Sequence, residues 1–463
     1  MPGFLLFLLI FVLIGGCAAY VIITTKKALQ LNTETWVMKL WKKPGIKAIA
    51  ASLISILGGM LIGCIILVIM AIFPTSGVPI KFNDIIKGIQ LIFFGIFKTG
   101  SGSAGMLFGF NGQQLGNMLF RATPLILTGL SVAVAFKTGL FNIGAPGQYL
   151  VGTAATLILA LVIPTEVVPS FFVWIIAFLG GILAGALWGA VPGLFKSLLN
   201  INEVITCIMM NWIAANVVTS LFDKTTGPFK FLLDPSGTKN LAFVYKTITN
   251  GVVTSKMGLD KIFANSQVNG GIIIAIVIAI VVHIVINKTT FGYELKACGS
   301  NKHAAKYAGI NEKTSAVISM AIAGGLSGAA AALYWLSGNT EFAWSTYQTL
   351  PAIGFNGIPV ALLAYNNPLG VIFSSIFMST LDVNGMQLKY STNFNEYITS
   401  IISALIVYFS AFSLLIQQVL NGNIKINLFK NKKNKLQPVE APAQAEVPTV
   451  EPEEANDKEE GEE

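Results

Sequence analysis

Apolar runs separated by short polar stretches recur along the whole chain, and a run of about 20 residues is what a helix needs to cross a bilayer. Eleven such runs predict eleven spans: 4–23, 48–73, 117–136, 149–163, 171–195, 203–222, 271–286, 314–336, 347–364, 369–383 and 398–420. The pattern predicts an all-α polytopic membrane protein with one N-terminal anchor helix (1–25) and a ten-helix transmembrane body (48–421). Residues 26–47 carry six lysines with Trp36, Leu40 and Trp41 interleaved, the pattern of a basic amphipathic segment lying on the cytoplasmic leaflet. By the positive-inside rule the lysine-bearing loop 288–313 is also cytoplasmic. The C-terminus falls on the same side. Residues 74–112 are expected to be an outer loop and 223–268 an extracytoplasmic insertion.

Composition agrees with the class. Of 463 residues 54% are hydrophobic and 11% charged, against about 25% charged in a soluble domain. The net charge of +8 conceals an uneven distribution: 436–463 hold ten of the 22 acidic residues, in a Pro/Ala/Glu-rich stretch too polar to pack. The segment 422–463 therefore reads as a basic, then acidic, disordered cytoplasmic tail. The basic excess elsewhere suits a protein beside anionic lipid and calls for no nucleic-acid partner. Four cysteines, Cys17, Cys64, Cys207 and Cys298, stand far apart, which predicts free thiols and no metal site. No Gly-Lys dipeptide occurs, so the chain has no Walker A loop and any ATP is bound by a partner subunit.

Two stretches carry candidate chemistry. Between 137 and 148 three glycines and Pro146, with Asn142 and Gln148, describe irregular backbone at membrane depth, tolerated where protein or water covers it. Gly354–Asn356 is its counterpart in the second half of the body. Paired interruptions in corresponding halves point to a pathway at the midplane, by analogy with secondary transporters. The expected pathway residues are Phe141, Asn142, Gln148, Glu203, Asn211, Trp212, Phe355 and Asn356: amides to orient a ligand, aromatics to stack on it, and one carboxylate. The second stretch, 288–313, has small residues between its lysines, which let a short helix be approached closely by another protein. Its expected partner-facing residues are Glu294, Ala297, Gly299, Asn301, Ala304, Ala305 and Gly309.

Five ordered motifs carry a resemblance. They are Ala122-Thr123-Pro124-Leu125-Ile126-Leu127-Thr128-Gly129-Leu130, the stretch from Phe136 to Gln148, Asn202-Glu203-Val204-Ile205 through Asn211, and Leu295-Lys296-Ala297 through Ile310. The last runs from Gly354-Phe355-Asn356-Gly357-Ile358-Pro359 to Asn366-Asn367-Pro368-Leu369-Gly370. Over roughly 48–420 the chain resembles permease subunits of ATP-binding-cassette importers for simple sugars, branched-chain amino acids and nucleosides, above all the larger nucleoside (guanosine-type) permease. The resemblance implies a cell-membrane protein without enzymatic activity, whose segment 292–311 docks in a cleft of an ATPase subunit. It also implies a second permease subunit and an extracytoplasmic substrate-binding lipoprotein. Pro146 and Asn356 depart from the family pattern, which has acidic residues there.

Other classes are weighed by what they require. A permease for simple sugars such as ribose fits nearly the same residues. An ion-coupled secondary transporter needs buried acids in mid-membrane, where the spans offer only Glu203 and Asp382 near their ends. Gly325-Leu326-Ser327-Gly328 matches the nucleophile pattern of rhomboid-like intramembrane proteases. Both histidines, His283 and His303, lie upstream of that serine, so a base on a later span is missing.

Overall fold

The computed structural model describes residues 44–72, 80–102, 105–233, 251–345, 348–394 and 397–412, with a few isolated positions besides. The expected anchor 1–25, most of the basic segment 26–47, residues 234–250 of the insertion and the tail 422–463 lie outside the described residues.

The body consists of α1 (Pro44–Ile72), α3 (Gly112–Lys137), α4 (Ala145–Val162), α5 (Ser170–Leu199) and α6 (Glu203–Leu221), followed past the insertion by α7 (Gly271–Lys288), α10 (Glu312–Trp335), α11 (Ala352–Leu363), α12 (Pro368–Ser391) and α13 (Tyr397–Ala411). Eight of these are long and apolar enough to cross a membrane among the described residues; α11, with 12 residues, is too short to do so alone. The expected span 347–364 is therefore corrected to a half-length helix, and 369–383 lengthens to the whole of α12.

The loop expected at 74–112 is corrected, and the short helix expected within 288–313 is a pair. Residues 74–112 contain the amphipathic helix α2 (Phe82–Phe94) and a hairpin of β1 (Lys98–Gly102) with β2 (Gly105–Phe108). Residues 288–313 fold as two short helices, α8 (Thr290–Ser300) and α9 (Lys302–Tyr307). Their starts are written in the sequence. Thr289 accepts from the Gly292 amide and Asn301 from that of Ala304, so side-chain oxygens satisfy the free N–H groups of each first turn. Asn111, Asn202, Asn311 and Asn367 cap α3, α6, α10 and α12 in the same way.

Sequence also decides how closely the helices approach. Lipid supplies no hydrophobic drive between helices, so contact area and small residues do. Helices α5 and α10 run antiparallel with glycine against glycine. A methyl group at Gly189 would stand 2.5 Å from the Met320 carbonyl oxygen, and one at Gly185 2.9 Å from the Cα of Gly328. Helix α4 joins the same seam, since a methyl at Gly152 would come 2.7 Å from that Cα. Ser327 of the protease-like pattern is fully buried, its hydroxyl donating to Ser131 of α3 at 3.0 Å.

Helix α3 is the centre of the body, with 83% of its most apolar stretch buried, while the corresponding stretch of α5 is 22% buried. It carries Pro124, which has no N–H to give. The Thr128 hydroxyl bonds back to the Pro124 carbonyl at 3.1 Å, so this side chain is satisfied within its own helix. The bundle has two ends. Lys137, Lys196, Lys288, α8 and α9 gather at the basic end, and the start of α3 and the end of α10 lie at the far end.

Candidate functional site

After α3 the chain turns through Gly139 (φ +72°) and folds back into the bundle before α4 begins at Ala145. This return places Asn142, fully buried, beside Gln148 in the first turns of α4. Their amides bond reciprocally, Asn142 Nδ2 to Gln148 Oε1 at 2.8 Å and Gln148 Nε2 to Asn142 Oδ1 at 3.0 Å. Asn142 also donates to Ser131 Oγ of α3 at 3.0 Å and accepts from the Gly144 amide. Asn211 of α6 closes the other side. It accepts from the Gly147 amide at 2.9 Å and donates to the Ile143 carbonyl at 3.0 Å. Through Ser131 and Ser327 the network reaches α10. Four helices are tied to one irregular turn, with Asn142, Gln148 and Asn211 all buried. Each amide is engaged with protein, so these three side chains act here as a latch.

The second interruption meets the first. Gly354, in the first turn of α11, lies so close to Pro146 that a methyl there would stand 2.5 Å from the proline Cα. A methyl at Gly357 would come 2.6 Å from the Thr128 carbonyl. Thr128 lies about 14 Å along α3 from Lys137, near half of a hydrocarbon core of about 30 Å. The starts of α4 and α11 thus meet deep in the body.

Above that meeting point a cavity of about 130 Å³ opens toward the far end. It is lined by Phe120, Arg121, Tyr334, Thr340, Asn356 and Asp382 among others. A second cavity of about 270 Å³ shares Arg121 and Gln267 with it. Of the eight expected pathway residues, Asn356 lines this cavity. Phe141 packs at a tilt against Phe136, ring centres 4.9 Å apart, and Trp212 and Phe355 are exposed. Glu203 pairs with Lys196 at 3.0 Å at the basic end, where a separate cavity of about 330 Å³ lies between α5, α9 and α10.

The expected partner-facing stretch divides by exposure. Glu294, Asn301, Ala304 and Gly309 are exposed, and Ala297 is half-buried. Ala305 is buried, and Gly299 faces inward: a methyl there would stand 2.9 Å from the Gly139 amide nitrogen and closer still to the Lys137 carbonyl. Helix α8 therefore rests on the turn that leads to the latch. The largest exposed side chains of the pair are Tyr293 at 68% and Tyr307 at 94%, which small-residue reasoning passed over. Arg121 was also missed, although a guanidinium within an apolar run is a signal by itself.

The family described as "Branched-chain amino acid transport system / permease component" matches residues 114–411. The nucleoside ABC transporter permease protein NupB of Lactococcus lactis subsp. cremoris is 32% identical over 378 residues, covering 81% of this chain and 93% of that one. The guanosine ABC transporter permease protein NupP of Bacillus subtilis is 32% identical over 339 residues, 71% of this chain and 90% of that one. The glucose ABC transporter permease protein TsgB13 of Haloferax volcanii is 29% identical over 303 residues, 64% and 75% of the two chains. No solved structure matches the chain.

Proposed function

This chain belongs to the family of branched-chain amino acid transport system permease components, and on that premise we propose that it is the membrane path of a nucleoside importer. It is a multi-pass permease subunit of an ATP-driven importer, not an enzyme, and it works with an ATPase and a substrate-binding protein. Nucleoside as the substrate class rests on the two relatives named for nucleosides, each matched over at least 90% of its own length. The glucose-named relative supports a sugar reading, at lower identity and coverage. In this reading the basic end is cytoplasmic, the C-terminus lies on that side, a second permease completes the pathway, and a lipoprotein delivers substrate to the far end.

One observation carries the mechanism: α8 rests by Gly299 on the turn at Gly139, and that turn runs directly into the latch. ATPase movement pressed on α8 and α9 is then delivered to the backbone at 137–139. The latch passes it to α4, and Pro146 bears on Gly354 of α11. Interfaces this tightly packed move as bodies rather than deforming, which is why a push at the basic end reaches the deep interruption. The first turns of α11 carry Asn356 into the far-end cavity, so the same motion reshapes the ligand's surroundings.

Uptake of labelled guanosine and labelled ribose by the assembled complex, with and without its ATPase, tests the reading. Guanosine uptake that needs both ATP and the binding protein is expected. Uptake of ribose alone, or of either compound by this chain without an ATPase, would overturn it.

A further inference from the structure

Of the 30 basic residues in this chain, Arg121 is the only arginine, and it stands within α3 about 24 Å from the basic end rather than on a surface loop. A chain that uses lysine everywhere else places its one planar, five-donor guanidinium beside a cavity. The same cavity is lined by Asp382 of α12, remote from it in sequence. Arg121 and Asp382 line one space and feel each other's charge without a direct hydrogen bond between them, and Arg121 donates to the Met386 sulfur at 3.6 Å. Their mutual attraction offsets part of the cost of two charges inside a membrane body, and the rest falls to whatever hydrogen-bonds both in the cavity.

We propose that the far-end cavity is a ligand site that takes a neutral nucleoside, its N–H or O–H donors on Asp382 and an adjacent acceptor on Arg121. The inference rests on the importer reading above and names the residues that recognise the substrate. Neutrality follows from the charges, since an anion or a cation would leave one of the pair uncompensated. A flat ring follows from Phe120 and Tyr334, which stack at 5.6 Å with 20° between their planes and form part of the wall. Size follows from the volumes. Neither the inner chamber of about 130 Å³ nor the outer one of about 270 Å³ reaches the usual lower bound of about 300 Å³ for a small-molecule site, and the two adjacent chambers, which share Arg121 and Gln267 as lining, reach it together. The outer chamber is walled by the carboxamides Gln113, Gln114, Asn117, Asn265 and Gln267, neutral groups that suit a sugar's hydroxyls. Ring inward and sugar outward is therefore the orientation the chambers fit, with Asn356 at the inner end.

The test uses the complete complex, with guanosine and ribose as probes. Asp382→Asn and Arg121→Gln should each raise the KM for guanosine about tenfold or more, and the double variant should not recover. In a Thr340→Cys variant, guanosine should protect the thiol from a membrane-impermeant reagent added on the outside. Full recovery of guanosine KM in the double variant would make the two charges a structural pair and overturn the proposal. So would unchanged KM in the single variants, or equal Thr340→Cys labelling with and without guanosine; this readout applies even if the charge variants fail to insert. Failure of the importer reading looks different, because then the unaltered complex takes up no nucleoside.

Discussion

Replacing Gly299 by alanine adds one methyl group and forces a movement. The new carbon would lie well inside van der Waals contact with the Lys137 carbonyl oxygen and 2.9 Å from the Gly139 nitrogen. Both are backbone atoms, so no rotamer change can make room. The turn cannot easily yield either, because the Thr138 hydroxyl bonds the Val134 carbonyl and meets Ser319 of α10. Helix α8 has to back away by the better part of an ångström. Overpacking of this kind costs about 1–3 kcal/mol, little enough for the protein to insert and fold. Gly309→Ala is the matched control. It has open space around its Cβ position but a φ of +81°, so it carries a strain of about 1–2 kcal/mol with no displacement of α8. In proteoliposomes, guanosine moved per ATP hydrolysed should fall about fivefold to tenfold for Gly299→Ala, the change expected when roughly 1–1.4 kcal/mol of coupling is lost. Gly309→Ala should stay within about twofold of the unaltered complex at a similar loss of thermal stability. If both variants lower the ratio alike, stability alone explains the effect and the route through the turn is wrong.

Tyr307→Ala should leave thermal stability unchanged, because the ring is 94% exposed, while weakening capture of the ATPase subunit at least fivefold if it is an aromatic anchor; unchanged co-purification would remove it from the interface. Asn142→Ala and Gln148→Ala should each lower thermal stability and protein level, since each leaves a buried amide unsatisfied at about 1–3 kcal/mol. The double variant should cost less than the sum of the two, as reciprocal partners do, and strict additivity would mean that the two amides do not depend on each other.

The membrane-crossing helices were legible because an apolar run of membrane length has one ready explanation. The elements missed between spans were hidden for a different reason. Helix α2 repeats apolar positions with helical spacing, Ile85, Ile89 and Ile92 among them, but at 13 residues it falls short of a membrane-crossing run and so read as part of a loop. In 288–313 the small residues pointed to one short helix, while Thr289 and Asn301, each capping a separate first turn, mark two. In the site, Asn142, Gln148 and Asn211 were identified by residue type, but an amide that faces a ligand and one that bonds another amide look the same in sequence. Glycine behaves likewise: Gly299 and Gly309 sit in one stretch, and only the fold shows that one touches backbone while the other supplies a left-handed turn. The facing of Arg121 and Asp382 is set by how α3 and α12 pack, which no local pattern encodes.

The latch is also the right size for its proposed task. A net hydrogen bond contributes about 0.5–1.5 kcal/mol, so the few bonds joining Asn142, Gln148, Asn211 and Ser131 amount to several kcal/mol at most. A coupling free energy of about 1–3 kcal/mol acting at either end is comparable, so it can shift such a network between two arrangements without unfolding anything. An apolar seam could not be switched so cheaply. Separating the glycine contacts of α5 and α10 would give up packing along the length of both helices, with no alternative partner in lipid. The body is therefore divided into parts that stay together and a part that can rearrange. The glycine seam holds α4, α5 and α10 as one unit, and the polar turn at 138–148 is where that unit meets α3, α6 and α11. Any movement driven from α8 enters at Gly139, beside the polar joint and away from the seam.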